Sequence, residues 1–149
     1  MLNGVRIEWA EQWVYLGVTL KNAKRFDCSI VERVKKFYRC SNAIFRIDGH
    51  SNDMVMLRLV ETHCVPILTY AIEVINVSNR DELRQLRVAY NSLFRKIFNY
   101  RWNESVTALQ HFLKRPTWEE LAEKRRMNFV KRIHNSGFDS LSRLFISSS

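Results

Sequence analysis

Arg80, Arg84, Arg87, Asn91 and Arg95 follow one another at intervals of four, three, four and four, and Lys35, Arg39, Asn42 and Arg46 at four, three and four. At that spacing each set forms a stripe along one face of a helix. A line of cations so placed can follow a phosphate backbone, releasing counterions at each contact and reading no base sequence. Aromatic side chains are interleaved with them: Phe37, Tyr38, Phe45, Tyr90, Phe94, Phe98, Tyr100 and Trp102. Most fall at core spacing, whereas Tyr100 and Trp102, beside Arg101 at a helix end, are placed to stack on bases.

Residues for acid–base or nucleophilic catalysis are not arranged for it. Asp27, Asp48, Asp53, Asp81 and Asp139 stand singly in different segments, with no phosphate-cradling glycine loop and no Ser, His and Asp in an order with turn context. Glu119 and Glu120 are adjacent, but they open a helix, where carboxylates interact favourably with the dipole. His63 and Cys64 are helix neighbours and point about 100° apart. Cys28, Cys40, His50 and His111 lack the short spacing of a tetrahedral metal site. Neither a metal nor a cofactor is expected, and the residues describe a binding surface rather than an active site.

The 149 residues, 46% of them hydrophobic, suffice for one domain with a core. Against 15 Asp and Glu stand 24 Lys and Arg, a formal charge of +9, which implies a polyanionic partner, nucleic acid before membrane. The longest apolar stretch, "CVPILTYAIEVI", falls short of the about 20 residues of a membrane span and contains Pro66 and Glu73. The first residues, "MLNGVRIEWAEQ", lack the apolar centre of a signal peptide, and the cysteines are odd in number and lie in apolar surroundings. These features predict a reducing, intracellular setting, nucleus or cytoplasm, and no membrane.

Helices must carry the two stripes, and the periodicities predict them. Val5, Ile7 and Trp9 alternate with polar residues, and after "AEQ" the alternation resumes with Val14, Leu16, Val18 and Leu20, predicting two strands joined by a tight link. Gly17 within the second strand suggests a bulge or a close backbone approach. Two strands alone are marginal in water, so the hairpin reads as an orphan whose exposed edge can self-associate through Val14, Leu16 and Val18. A helix capped by Asp27 or Ser29 carries Ile30, Val34, Phe37, Ser41 and Ile44 on one stripe and ends near Gly49. Ser51 or Asn52 caps the next, which should run to about residue 75 with a kink or break at Pro66, since proline has no N–H to bond back to Thr62. Its second half has almost no polar face, predicting a central buried helix and an arginine partner for Glu73. Asn79 and Glu82 spell a capping box, followed by Leu83, Leu86, Tyr90, Leu93, Ile97 and Tyr100 at helical spacing. Beyond "RWNES" come a short helix to about residue 114 and another capped by Thr117 toward Glu120, ending near residue 136. The expected fold is mainly α, a helical bundle over residues 23–149 preceded by a short β-hairpin over residues 1–22.

In order and spacing, "WVYLGVTL", "LVETHCVPILTYAIEV" and "LRQLRVAYNSLFRKIF" resemble the segment that follows the catalytic core of non-LTR (LINE-like) retrotransposon reverse transcriptases. Tyr15, Leu16 and Gly17 match the family's Tyr-Leu-Gly at the end of the palm. Pro66, Tyr70 and Glu73 match the proline, aromatic and glutamate of its apolar thumb helix. Ala71 stands where the family often has glycine, and Val74 and Ile75 where a tryptophan is common. The likeness covers about residues 5–96.

The resemblance implies a thumb-like helical module, a fragment of an RNA-directed DNA polymerase that lacks the paired catalytic aspartates and their two metals. It further implies a role held by contact, weak and sequence-nonspecific binding of RNA/DNA template–primer duplex, for which the spacing of the two stripes offers Lys35, Arg39, Arg46, Arg80, Arg84, Arg87 and Arg95. Two other readings stand beside it, a free-standing helical nucleic-acid-binding protein and an inert folded relic whose basic charge is inherited.

Overall fold

Leu16 and Gly17 both take positive φ, 48° and 76°, and turn the chain back on itself. In this computed structural model, which describes residues 10–22, 27–47, 52–74 and 80–135, the alternation over residues 13–20 is two strands rather than one. β1 (Gln12–Tyr15) and β2 (Val18–Lys21) pair antiparallel, Tyr15 opposite Val18 and Trp13 opposite Leu20. Positive φ at both central residues belongs to the two-residue hairpin turn whose twist suits the strands it joins. An apolar period of two runs through such a turn unbroken in sequence, yet Val14, opposite Thr19, ends on the other face from Val18. The strand expected at residues 5–9 lies outside the described residues.

The hairpin is not an orphan. β3 (Asp27–Ser29) pairs with the free side of β2, Leu20 opposite Cys28, and makes an antiparallel sheet in the order β1-β2-β3. The boundary expected after residue 22 therefore falls inside the sheet. Asp27 belongs to a strand, and Ser29 is the capping residue, its Oγ accepting from the Val31 N–H at 3.4 Å where α1 (Val31–Ile47) begins.

Helices form the rest of the framework, as expected of a mainly α chain. α1 buries Ile30 at its entry, Phe37 and Ser41, with Val34 and Ile44 packed beside them. Asn52 caps α2 (Asp53–His63), its Oδ1 accepting from the Met54 N–H at 2.9 Å. The chain breaks at Cys64, and Pro66 sits in the first turn of a separate helix, α3 (Val65–Thr69), where a missing N–H goes unused. The helix expected to reach residue 75 stops there instead: Tyr70 is extended, Ala71 has φ 51°, and Ile72–Val74 form one 3-10 turn. Leu68, Thr69 and Ile72 are buried while Tyr70 is exposed, because an apolar run alone does not distinguish a helix from a folded-over segment.

α4 (Arg80–Ile97) supplies Leu86, Ala89, Tyr90, Leu93, Phe94 and Ile97 to the core, as its stripe predicts, and α5 (Thr107–Phe112) and α6 (Trp118–Asn135) follow. Asn79, half of the expected capping box on α4, lies outside the described residues. The box before α6 is present: Glu120 Oε2 accepts from the Thr117 N–H at 2.8 Å and Thr117 Oγ1 from the Glu120 N–H at 3.3 Å. Tyr90 packs between Phe94 and Trp118, with ring centroids 5.4 and 5.8 Å away, tying α4 to the start of α6. Among the described residues no helix is long and apolar enough to cross a membrane.

Among the described residues β1 is the edge strand, and Trp13, Val14, Tyr15 and Leu16 are 61–74% exposed. Unpaired backbone beside exposed apolar side chains favours strand-to-strand association. Replacing Trp13 and Val14 together by lysine should lower concentration-dependent light scattering and leave the helical circular dichroism unchanged; association that persists would place the contact elsewhere.

Burial governs two acids of the core. It pushes the Cys64 thiol, 3.4 Å from the Cys40 sulfur, up from 9.0 to about 12, and raises the Tyr90 phenol, whose O–H donates to the Pro116 carbonyl at 2.9 Å. The native state holds protons that the unfolded chain releases at lower pH, so this stability is full below pH 9.0 and drains as pH climbs toward about 12. Urea midpoints should fall between pH 8 and pH 10.5, a range set by the two ordinary values of about 9 and 10; equal midpoints would mean that water reaches these groups.

Candidate nucleic-acid interface

The face of α1 opposite its core stripe is exposed, as the spacing of Lys35, Arg39, Asn42 and Arg46 predicts. Lys35 is committed locally, its Nζ donating to Glu32 Oε1 at 2.7 Å, and this ammonium holds the Glu32 carboxyl below the usual carboxylate range. Arg39 and Arg46, with Asn42 between them, line a shallow depression of about 830 Å³ whose far side is Lys96 of α4. Lys96 is held in place: its Nζ lies 4.3 Å from the centroid of the Phe45 ring and donates to Asn42 Oδ1 at 2.9 Å. Among the described residues no carboxylate lines this cradle, and neither Arg39 nor Arg46 makes an ion pair.

The α4 stripe meets different surroundings. Arg80, Arg84 and Arg87 are exposed and line a cleft of about 430 Å³ against α6, whose Glu119, Glu123 and Arg126 form the opposite wall. Arg87 Nη1 lies 3.5 Å from Glu119 Oε1, an exposed pair worth little in water. Arg95 is half-buried and faces its own backbone, Nε and Nη2 donating to the Glu104 carbonyl at 3.2 and 3.0 Å. The Glu104 carboxylate in turn accepts from the Arg101 N–H at 2.7 Å, so Arg95 fastens the loop that follows α4. On and beside that loop Tyr100 is 39% and Trp102 87% exposed.

The structure brings Arg39, Arg46 and Lys96 together. It places Arg80, Arg84 and Arg87 in a separate cleft, and leaves Lys35 and Arg95 outside both. Lys96 is one position past Arg95 and so about 100° around the helix from it, which hides it from any stripe search. Arg126 escapes because α6 is basic on several sides rather than along one line.

The two segments of the Tyr-Leu-Gly and thumb-helix resemblance meet in space. The Tyr70 hydroxyl donates to the Leu16 carbonyl at 2.6 Å, and Gly17, Pro66 and Tyr70 share the wall of a cavity of about 550 Å³ with Arg33 and Lys36. A Cβ on Gly17 would sit 3.6 Å from the Tyr70 ring, an ordinary contact, so the positive φ rather than lack of space calls for glycine here. Tyr15 is exposed. Glu73 is half-buried and acts on two guanidiniums: burial lowers the pKa of Arg126 and the charge of Glu73 partly restores it, whereas for Arg33 burial lowers the pKa and Cys28, Glu82 and Tyr70 oppose this more than Glu73 does. No hydrogen bond or ion pair joins Glu73 to either among the described residues.

No group of His, Cys, Asp and Glu among the described residues could hold a metal ion. Comparison with protein-family models, curated proteins and solved structures finds no match. The class that fold and surface define is a mainly α chain with a small antiparallel sheet and, among the described residues, several separate basic surfaces, the α1–α4 cradle, the α4–α6 cleft and a depression on α6 lined by Lys124, Arg125 and Arg132.

Arg95→Ala removes two charge-assisted bonds to one carbonyl and should destabilise the fold by about 1–2 kcal/mol. The salt dependence of nucleic-acid binding should stay as it is. A changed salt slope with unchanged stability would put this guanidinium at the interface instead.

Proposed function

We propose that this chain is a non-catalytic, thumb-like module akin to that of non-LTR retrotransposon reverse transcriptases, and that it holds template–primer duplex by the phosphate backbone. The observation that carries the reading is the cradle of Arg39, Arg46 and Lys96, three cations from two packed helices around a depression with no carboxylate on its wall among the described residues. Cations that no carboxylate holds in an ion pair can exchange their counterions for phosphates, which yields affinity without base specificity.

The contact between Tyr70 and Leu16 supports the family reading, since it joins the two segments on which the resemblance rests. Ala71 supports it further: its φ of 51° suits glycine, the residue often found there in the family. Exposed Tyr100 and Trp102 offer stacking surface at a strand end. A module of this kind works where such duplexes are made, in the nucleus or the cytoplasm.

Arg39→Ala with Arg46→Ala should weaken binding to every duplex alike and flatten the plot of log affinity against log salt by about two units, at roughly 0.9 for each phosphate that is no longer neutralised. Arg84→Ala with Arg87→Ala should flatten it by about one unit or less, because Arg87 already leans on Glu119. Fluorescence anisotropy across a salt series, with the fold checked by circular dichroism, measures both. Affinity unchanged by the Arg39 and Arg46 substitutions would sink the backbone-holding role.

A further inference from the structure

The cleft between α4 and α6 contains a guanidinium whose buried edge holds no partner among the described residues. Arg126 is half-buried in its wall, and its Nε and Nη2 are buried atoms without a hydrogen-bond partner. Those two N–H groups form one edge of the planar group, the edge that meets two oxygens of an oxyanion side by side. Buried donors left without acceptors are unfavourable. Glu73 acts on this charge from a distance and bonds to neither nitrogen.

The rest of the cleft is built in the same sense. Arg80, Arg84 and Arg87 reach it from α4, so that four guanidiniums face the two carboxylates of Glu119 and Glu123, a surplus of two positive charges. The Arg87–Glu119 contact at 3.5 Å uses one guanidinium. Arg80 and Arg84 make no ion pair or hydrogen bond among the described residues.

We propose that the α4–α6 cleft is a phosphate-binding site in which the Nε and Nη2 edge of Arg126 takes two phosphate oxygens and Arg80 and Arg84 close over the group from the other helix. Both nitrogens are buried in the structure, so taking the phosphate requires that the terminal torsions of Arg126 rotate this edge into the cleft. A phosphate monoester or inorganic phosphate, with a charge of about −1.5 to −2 near neutral pH, matches the surplus better than a singly charged backbone phosphodiester does. The ligand is therefore a terminal phosphate, and its two sources are free phosphate and the phosphorylated end of a nucleic-acid strand. The site does not involve Arg39, Arg46 or Lys96 and stands or falls apart from the duplex cradle.

Thermal unfolding of the full chain in inorganic phosphate, against chloride at matched ionic strength, tests it. Phosphate should raise the wild-type midpoint above chloride, and the exposed pair Arg80→Gln with Arg84→Gln should remove at least half of that rise. Arg126→Gln should remove nearly all of it; if that variant is too unstable to compare, the exposed pair alone decides. Phosphate also stabilises proteins by exclusion from their surfaces; that contribution is common to every variant and equals the rise left when Arg80→Gln, Arg84→Gln and Arg126→Gln are combined, so the expected losses are fractions of the rise above it. Equal midpoints in phosphate and chloride, or a rise retained in full by the Arg80 and Arg84 variant, would overturn the site.

Anisotropy with a hairpin duplex carrying a 5′-phosphate or a 5′-hydroxyl then separates the sources. Binding about tenfold tighter to the phosphorylated hairpin, lost with Arg126→Gln, assigns the site to strand ends. Equal binding with the midpoint rise retained assigns it to free phosphate. Arg39→Ala with Arg46→Ala should leave the phosphate rise intact, so loss of duplex binding and loss of the phosphate site are distinguishable.

Discussion

A buried carboxylate has to have a cation, and in this protein that requirement positions the sheet. Glu82, in the first turn of α4, is 8% exposed, and its Oε1 accepts from Lys21 Nζ at 3.0 Å. A carboxylate withdrawn from water and deprived of its partner destabilises a fold by about 3–5 kcal/mol. The end of β2 is thereby held against α4. In the turn that leads into the same strand the Tyr70 hydroxyl holds the Leu16 carbonyl at 2.6 Å. Strand β2 is the centre of the sheet, so β1 and β3 are placed by pairing with it, and β3 delivers the chain to Ile30 and α1. A small sheet that would be marginal alone is stable here because it is fastened to helices at two points.

The same placement arranges the surface charge. With the sheet seated, α1 packs along α4 and brings Arg39 and Arg46 to Lys96, while α6 crosses the other flank of α4 and faces Arg80, Arg84 and Arg87. Part of the positive charge thus lies in an open cradle that no described carboxylate lines and part in a narrower cleft partly neutralised by Glu119 and Glu123. Other cations serve the fold: Arg115 pairs with Glu61 at 3.1 Å, and Arg95 holds the loop after α4. Arg33 and Arg126, both in the field of Glu73, are drawn toward the interior, where burial makes their charge harder to bear. A net charge of +9 says that a polyanion is favoured, but only this partition says which residues are available to it.

Local chemistry is what the sequence by itself determined. Apolar residues at three and four spacing place the buried faces of α1 and α4, because side-chain direction along a helix follows from its pitch alone. The caps at Asn52 and at Thr117 with Glu120 need only a side chain within three residues of the N–H it satisfies. The break at Pro66 follows from an absent donor. For the same reason of pitch, the exposure of Lys35, Arg39, Arg46, Arg80, Arg84 and Arg87 was legible beforehand.

Only the tertiary structure decided what those faces meet. The turn at Leu16 and Gly17 leaves the apolar alternation intact, so a hairpin and a single strand look alike until Tyr15 is seen opposite Val18. β3 has three residues and no pattern of its own; pairing with β2 makes it a strand. The end of α3 at Thr69 depends on a positive φ at Ala71 and on the reach of Tyr70 to Leu16, 54 residues away. Lys96 joins Arg39 and Arg46, and Arg126 joins Arg80 and Arg84, across helix packing that no periodicity encodes. A stripe is a property of one helix, whereas a site is made where two helices pack, and which two is settled by the burial of side chains far apart in the chain.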